Sequence, residues 1–355
     1  MSNKTKSLIL MVVLVSLNTA ILAFTFMYGL NNSPYDGKQE TVLISLLFSA
    51  IALAVWYFIH NFLHELMHLV FAALTGGEIV EFAISGLKFY KEKGKLKVKF
   101  NFRSTYAGWT SFVCKSPQKA YKTLYFALYG GFVGTALTFL IIAIIFSIWT
   151  NYYTYYLVLM GAFSVLYMFI INFMCGFKTS DGHLLFLHKS GYTDFANSAI
   201  RLEIEGWMYK GKSLSEIDDY TMTEMFAEEK KASYYDYLLA LEMGDLSSAD
   251  NILTELEKIS ENDDNEHIDL LLERFFLSCL TYSEDLVERD KNICLEIIEE
   301  ADSLVSLRAH IAYRKFTGEV DWAKLLIKSY KSRLAEIDVK GYKKTETAIY
   351  KNFIA

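Results

Sequence analysis

The stretch His60-Asn61-Phe62-Leu63-His64-Glu65-Leu66-Met67-His68-Leu69 constrains this chain more than any other. It sets His64, Glu65 and His68 in H-E-x-x-H spacing within a strongly apolar segment. On a helix, His64 and His68 fall one turn apart on one face, near enough to share a divalent cation, with Glu65 beside them. Imidazole nitrogens suit Zn2+, and a carboxylate at that position suits a general base acting on water. Two histidines can also serve packing in a soluble helix, and a chain of 355 residues can contain the pattern by accident. The neighbours Phe62, Leu63, Leu66, Met67, Leu69, Val70 and Phe71 weigh against both. Ionisable groups are costly in so apolar a run, and their presence there is by default functional.

A third ligand is expected in Lys178-Thr179-Ser180-Asp181-Gly182-His183, at the end of the last apolar segment. Asp181 offers a carboxylate oxygen, completing a three-ligand set that keeps a fourth position open. An H-E-x-x-H within one membrane helix and an Asp-Gly at the end of a later one resembles the site-2 protease family of intramembrane zinc metalloproteases. The resemblance covers about residues 42–190. It implies that His64, His68 and Asp181 bind Zn2+, that Glu65 is the general base, and that Asn172 helps to hold the substrate backbone. Cys175 stands where the family often has a Pro, and Gly130-Gly131-Phe132-Val133-Gly134 stands where it often has Gly-Pro-x-x-Asn. The second departure removes an Asn from substrate binding and leaves the metal set intact. His60, one further turn along the same face, is expected as a hydrogen-bonding neighbour of His64 and not as a ligand.

Composition fits a membrane setting, since 53% hydrophobic residues and a mean hydropathy of +0.21 are too apolar for an ordinary soluble protein. Four spans are expected, at Ser7–Leu30, Val42–Leu74, Ala120–Trp149 and Tyr152–Phe177. The first reads as a retained anchor, being too long for a cleaved signal and lacking a small-residue cleavage pattern. The second exceeds what a bilayer needs, so it should tilt, break near His60 and Asn61, or project beyond the hydrocarbon. Nine Lys and Arg lie between Leu74 and Lys119, while the turn-rich connection around Pro34 has only Lys38. The positive-inside bias then puts both termini in the cytoplasm of a multi-pass cell-membrane protein, bacterial by the resemblance. That topology brings the cytoplasmic ends of the second and fourth spans to one depth, where His64, His68 and Asp181 need to meet. Hydrolysis consumes water, so a polar path from the cytoplasm past His60, Asn61 and Ser180 is expected. Gly130 and Gly134 form a small-x-x-x-small pair suited to close helix packing.

Between the second and third spans the period changes. Ile79–Ile84 and Leu96–Phe102 read as the strands of a small β-hairpin turning at Lys93-Gly94-Lys95, apolar on one face and basic on the other. Such a hairpin can add an extended peptide to its edge, or rest at the membrane surface with its lysines near anionic headgroups. Both readings stay open.

Charge divides the chain. Residues 1–189 hold 15 Lys+Arg against 7 Asp+Glu, and residues 190–355 hold 20 against 34. The acidic second part argues against nucleic acid as a partner. It reads as helix pairs broken at Gly244-Asp245, Thr281-Tyr282-Ser283 and Gly318-Glu319, a period of about 37 residues like that of tetratricopeptide-like units. Such arrays bind protein partners; a plain helical cap is the alternative. Cys114, Cys175, Cys279 and Cys294 lack C-x-x-C spacing and read as reduced thiols.

The expected fold is mainly α: a polytopic membrane helix bundle of about four spans with a small β-hairpin over residues 1–190, then a cytoplasmic helical repeat domain over 191–355. The expected function is a zinc metalloendopeptidase cutting a membrane-embedded or membrane-associated protein, or a small peptide precursor, near the cytoplasmic side of the bilayer. A non-catalytic scaffold that binds partners through its repeats, and a metal transporter, are the rivals.

Overall fold

A computed structural model describes residues 38–84, 86–92, 95–100, 108–148, 152–173, 181, 193–217, 233–260, 264–300 and 303–355, with scattered positions between 12 and 31. The expected span Ser7–Leu30 thus falls largely outside the described residues, as do Cys175, Ser180 and the end of the span expected to reach Phe177. The described chain forms two compact units, one of the residues up to Glu203 and one of those from Ile204 on. The division falls inside a helix, Thr193–Tyr209, and not at residue 190.

In the first unit, helix α1 runs unbroken over Lys38–Leu74. It contains neither Gly nor Pro, and the break expected near His60 and Asn61 does not occur. At 1.5 Å per residue it is about 55 Å long, against about 30 Å for a hydrocarbon core. It ends where Gly76 takes a φ of +98° and the Thr75 hydroxyl donates to the carbonyls of Phe71 and Ala72, both at 3.0 Å. Val42–Leu74 of α1 and Pro117–Ile148, which contains helix α2 (Ala120–Ile148), are long and apolar enough to cross a membrane. A further apolar helix, α3, covers Tyr152–Phe173.

Helices α1 and α2 run antiparallel and touch backbone to backbone. A Cβ at Gly130 would overlap the Met67 carbonyl, and one at Gly134 would overlap that of Leu63. The small-residue pair therefore packs as expected. Further from the motif, Trp56 packs with Ile142 of α2 and Val165 of α3, and its indole N–H donates to the Leu157 carbonyl at 2.8 Å.

The expected two-stranded hairpin is instead a four-stranded antiparallel sheet of β1 (Gly77–Ile84), β2 (Leu87–Glu92), β3 (Lys95–Phe100) and β4 (Gly108–Cys114), in the order β3-β2-β1-β4. Ile79–Ile84 does not pair with Leu96–Phe100, because β2 lies between them, bonded to both. Gly86, with φ +86°, turns the chain tightly after β1. Leu87 and Phe89 then pack with Phe82, Ile84 and the α1 residue Leu69. Two apolar positions in a run of six that otherwise holds two Lys, a Tyr and a Glu give a strand pattern only once that surface is present to receive them. The alternation expected for Leu96–Phe100 is present, but all of β3 is exposed.

After α4, the helix Thr193–Tyr209 in which the division falls, helical hairpins stand at the three expected places in the second unit: α5 and α6 (Tyr234–Met243, Leu246–Ser260), α7 and α8 (Asp264–Leu280, Glu284–Glu300), α9 and α10 (Leu304–Phe316, Val320–Glu336). Gly244 and Gly318 turn the outer two with positive φ, and Tyr282 does so in the middle one at φ 53°. The middle break thus lacks the Gly that marks the other two in the sequence. Helix α11, Lys340–Ile349, packs on α5. Arg308 of α9 ties three helices together: its guanidinium donates to both Glu346 oxygens at 2.7 Å and to Glu273. Tyr237 donates to Glu273 at 2.9 Å and Tyr330 to Glu346 at 2.6 Å, and all five of these residues are fully buried. Burial pushes the thiols of Cys279 and Cys294 up to about 12, as fits inert reduced cysteines.

Candidate metal centre

The site forms where α1 and α2 touch. Neither Gly nor Pro interrupts α1, so His64 and His68 share its face one turn apart, and each is buried. The Nδ1 of His64 lies 3.1 Å from the Gly131 carbonyl, and the Nδ1 of His68 lies 2.7 Å from that of Ala127. Ala127 and Gly131 are themselves one turn apart on the antiparallel α2, so successive turns of one helix address successive turns of the other. A carbonyl oxygen can only accept, so each Nδ1 carries the proton and each Nε2 of a neutral ring is bare.

Those two bare atoms face each other. The Nε2 of His64 and that of His68 are 3.2 Å apart. Asp181 Oδ2 lies 3.1 Å from each of them, and its side chain is largely buried. Three lone-pair donors thus form a near-equilateral triangle, and among the described residues no other donor hydrogen-bonds to Asp181 Oδ2. Neighbouring ligands of a tetrahedral zinc with bonds of 2.0–2.1 Å stand about 3.3 Å apart, so the triangle matches such a donor set closely. Gly131 lines it: a Cβ there would come 2.6 Å from Asp181 Oδ2 and from His64 Cε1.

Glu65 completes the group. His64, Glu65 and His68 each bring one ligand-type atom within 4.8 Å of the others, so this cluster can hold a metal ion. The Glu65 carboxylate is anchored by strand β4, where Thr110 Oγ1 donates to Oε2 at 2.6 Å. Gly108 of the same strand permits the approach, since a Cβ there would overlap the Glu65 side chain.

The structure therefore brings His64, Glu65, His68 and Asp181 into one site. Asn172 lies in the last turn of α3, and its side chain is outside the described residues. His60 makes no hydrogen bond to His64; the rings stand 5.8 Å apart and His64 turns its Nδ1 to α2 instead. Sequence reasoning did not find Thr110 or the carbonyls of Ala127 and Gly131. The carbonyls carry no side-chain signal at all, and Thr110 belongs to a strand that the alternation pattern did not reveal. No family model matches the chain, and no curated protein or solved structure is found to be similar to it.

Proposed function

We propose that the chain is a zinc metalloendopeptidase that hydrolyses a peptide bond of a membrane-embedded or membrane-associated protein, or of a small peptide precursor, near the cytoplasmic face of the bilayer. The observation that carries this reading is the convergence of two bare imidazole nitrogens and a carboxylate oxygen, 3.1–3.2 Å apart. Three acceptors at that spacing repel one another, and a divalent cation is what offsets the repulsion. Nitrogen and oxygen donors in a three-ligand set with one side open suit Zn2+.

His64, His68 and Asp181 would hold the ion, and bound there it would supply a Lewis acid for hydrolysis. The carbonyls of Ala127 and Gly131 fix the imidazole tautomers, as the outer groups of metal sites do. Glu65 is the general base: it takes one proton from the attacking water, whose oxygen bonds to the scissile carbonyl carbon, and passes that proton to the amine that leaves as the C–N bond breaks. Thr110 keeps the Glu65 carboxylate aimed. Asn172 is the residue proposed to hold the substrate backbone. Four crossings, with both termini in the cytoplasm, follow from the charge distribution, and the three helical hairpins form a tetratricopeptide-like array that binds a protein partner.

Metal analysis of the purified protein tests this. One equivalent of zinc is expected in the wild type and in Glu65→Gln, and none in His64→Ala or Asp181→Ala. Glu65→Gln should also abolish cleavage. A Glu65→Gln protein with full cellular activity would favour a scaffold, and zinc uptake into vesicles by purified protein would favour a transporter.

A further inference from the structure

His60 is fully buried, and among the described residues neither of its ring nitrogens meets a protein partner. The adjoining Asn61 Nδ2 is buried and unmet in the same way. An unmet buried donor or acceptor costs about 1–3 kcal/mol, and the great majority in folded proteins are paired. Three such atoms on consecutive residues mark a place where something other than the protein completes the bonds.

Contacts on either side fix where that place lies. On α2, Gly134 meets Leu63 and His64, and Ile142 meets Trp56. His60 therefore sits level with the stretch between Gly134 and Ile142, where Thr138 is fully buried. One end is closed by the buried Trp56 indole, pinned by its bond to the Leu157 carbonyl and seated against Gly161, where a Cβ would stand 2.8 Å from the ring. The His64 ring, 5.8 Å from that of His60, bounds the other end. The compartment these unmet atoms mark thus lies one helical turn from the metal triangle, on the side of Trp56.

The donor pattern identifies the occupant. A neutral imidazole presents one N–H and one bare nitrogen, and the Asn61 amide adds further N–H groups. A cation would satisfy the bare nitrogen and leave every donor unmet. A carbonyl would satisfy a donor and leave the bare nitrogen. Water answers both, and is small enough for a closed site between packed helices. It is also what the hydrolytic reaction consumes.

We infer that His60 and Asn61 hold water in this compartment and deliver it to the adjoining site, His60 acting as a positioning residue. The inference rests on the hydrolase reading above. It narrows the polar path expected past His60, Asn61 and Ser180 to a water site held by the first two, bounded by Trp56.

The test uses the full zinc-loaded chain in lipid nanodiscs, with His60→Leu, which fills the space without polarity, and His60→Asn, which keeps a donor and an acceptor. Radiolytic hydroxyl labelling oxidises side chains beside held water. Buried Trp56 should be labelled in the wild type and in His60→Asn, and its labelling should fall about fivefold or more in His60→Leu. All three should keep one equivalent of zinc. The kcat of His60→Leu should drop about tenfold or more at unchanged KM, with His60→Asn recovering most of it. An unlabelled Trp56 in the wild type, zinc loss in His60→Leu, or a wild-type kcat in that variant each overturns the inference. Cleavage by Glu65→Gln would sink the protease reading instead, and the wild-type labelling would still judge the water site if His60→Leu failed to fold.

Discussion

Thr110 Oγ1 donates to Glu65 Oε2 at 2.6 Å, so an edge strand of the sheet sets the direction of the carboxylate that follows the first motif histidine. Among the described residues strand β4 pairs on one side only, with β1, and its position next to α1 is what delivers the hydroxyl. Thr110→Val keeps the shape and removes the donor. Cleavage should fall about 10–100-fold while zinc content stays unchanged, and Thr110→Ser should restore most of the rate. Steady-state kinetics beside metal analysis would check it; a Val variant with wild-type kcat would leave the hydroxyl without a role.

Gly131 is a second sensitive point. A Cβ there would stand 2.6 Å from Asp181 Oδ2 and 2.8 Å from His68 Cε1, which pushes the donor triangle apart. Gly131→Ala should weaken zinc binding about 10–100-fold, read by competition with a chromophoric chelator. The fold of the second unit should be untouched, as its circular dichroism at low temperature would report.

Arg308 carries the stability of the second unit in the same concentrated way. It is fully buried between Glu273 and Glu346, which are also fully buried. Arg308→Met leaves two carboxylates buried without their counter-charge, and should destabilise that unit by about 3–5 kcal/mol. Replacing all three residues by apolar ones of similar volume should return most of the loss. Denaturant unfolding of the full chain, followed by circular dichroism, measures both; equal midpoints for the single and triple variants would contradict the prediction.

Alkaline pH should unfold the second unit through its tyrosines. Burial pushes the phenols of Tyr237 and Tyr330 above their ordinary range, and the neighbouring carboxylates of Glu273 and Glu346 add to this. The folded chain then keeps protons that the unfolded chain releases near pH ~10. Stability from this source is intact below about pH 10 and declines as pH rises beyond it. Tm measured from pH 8 to 12 should fall steeply at the upper end, and Tyr237→Phe should flatten the fall.

Residue order alone determined the parts of this protein that depend on local spacing. The pairing of His64 with His68, the two long apolar helices, the small-residue contact of Gly130 and Gly134, and the hairpin breaks at Gly244 and Gly318 each rest on a period or a turn residue within a few positions of chain. Asp181 was legible too, although it lies 113 residues beyond His68, because a carboxylate at the end of an apolar run is unusual enough to stand out. Tertiary structure decided what local spacing cannot carry. It supplied β2, whose few apolar side chains become a buried face only against Leu69 and β1, and β4, whose Phe112 and Cys114 pack with Ala120 and Leu124 of α2. It also supplied the Ala127 and Gly131 carbonyls that orient the imidazoles, the Thr110 hydroxyl on Glu65, and the sealed surroundings of His60. A backbone oxygen is the same in every residue, so which one meets a ring is settled only when two helices have packed.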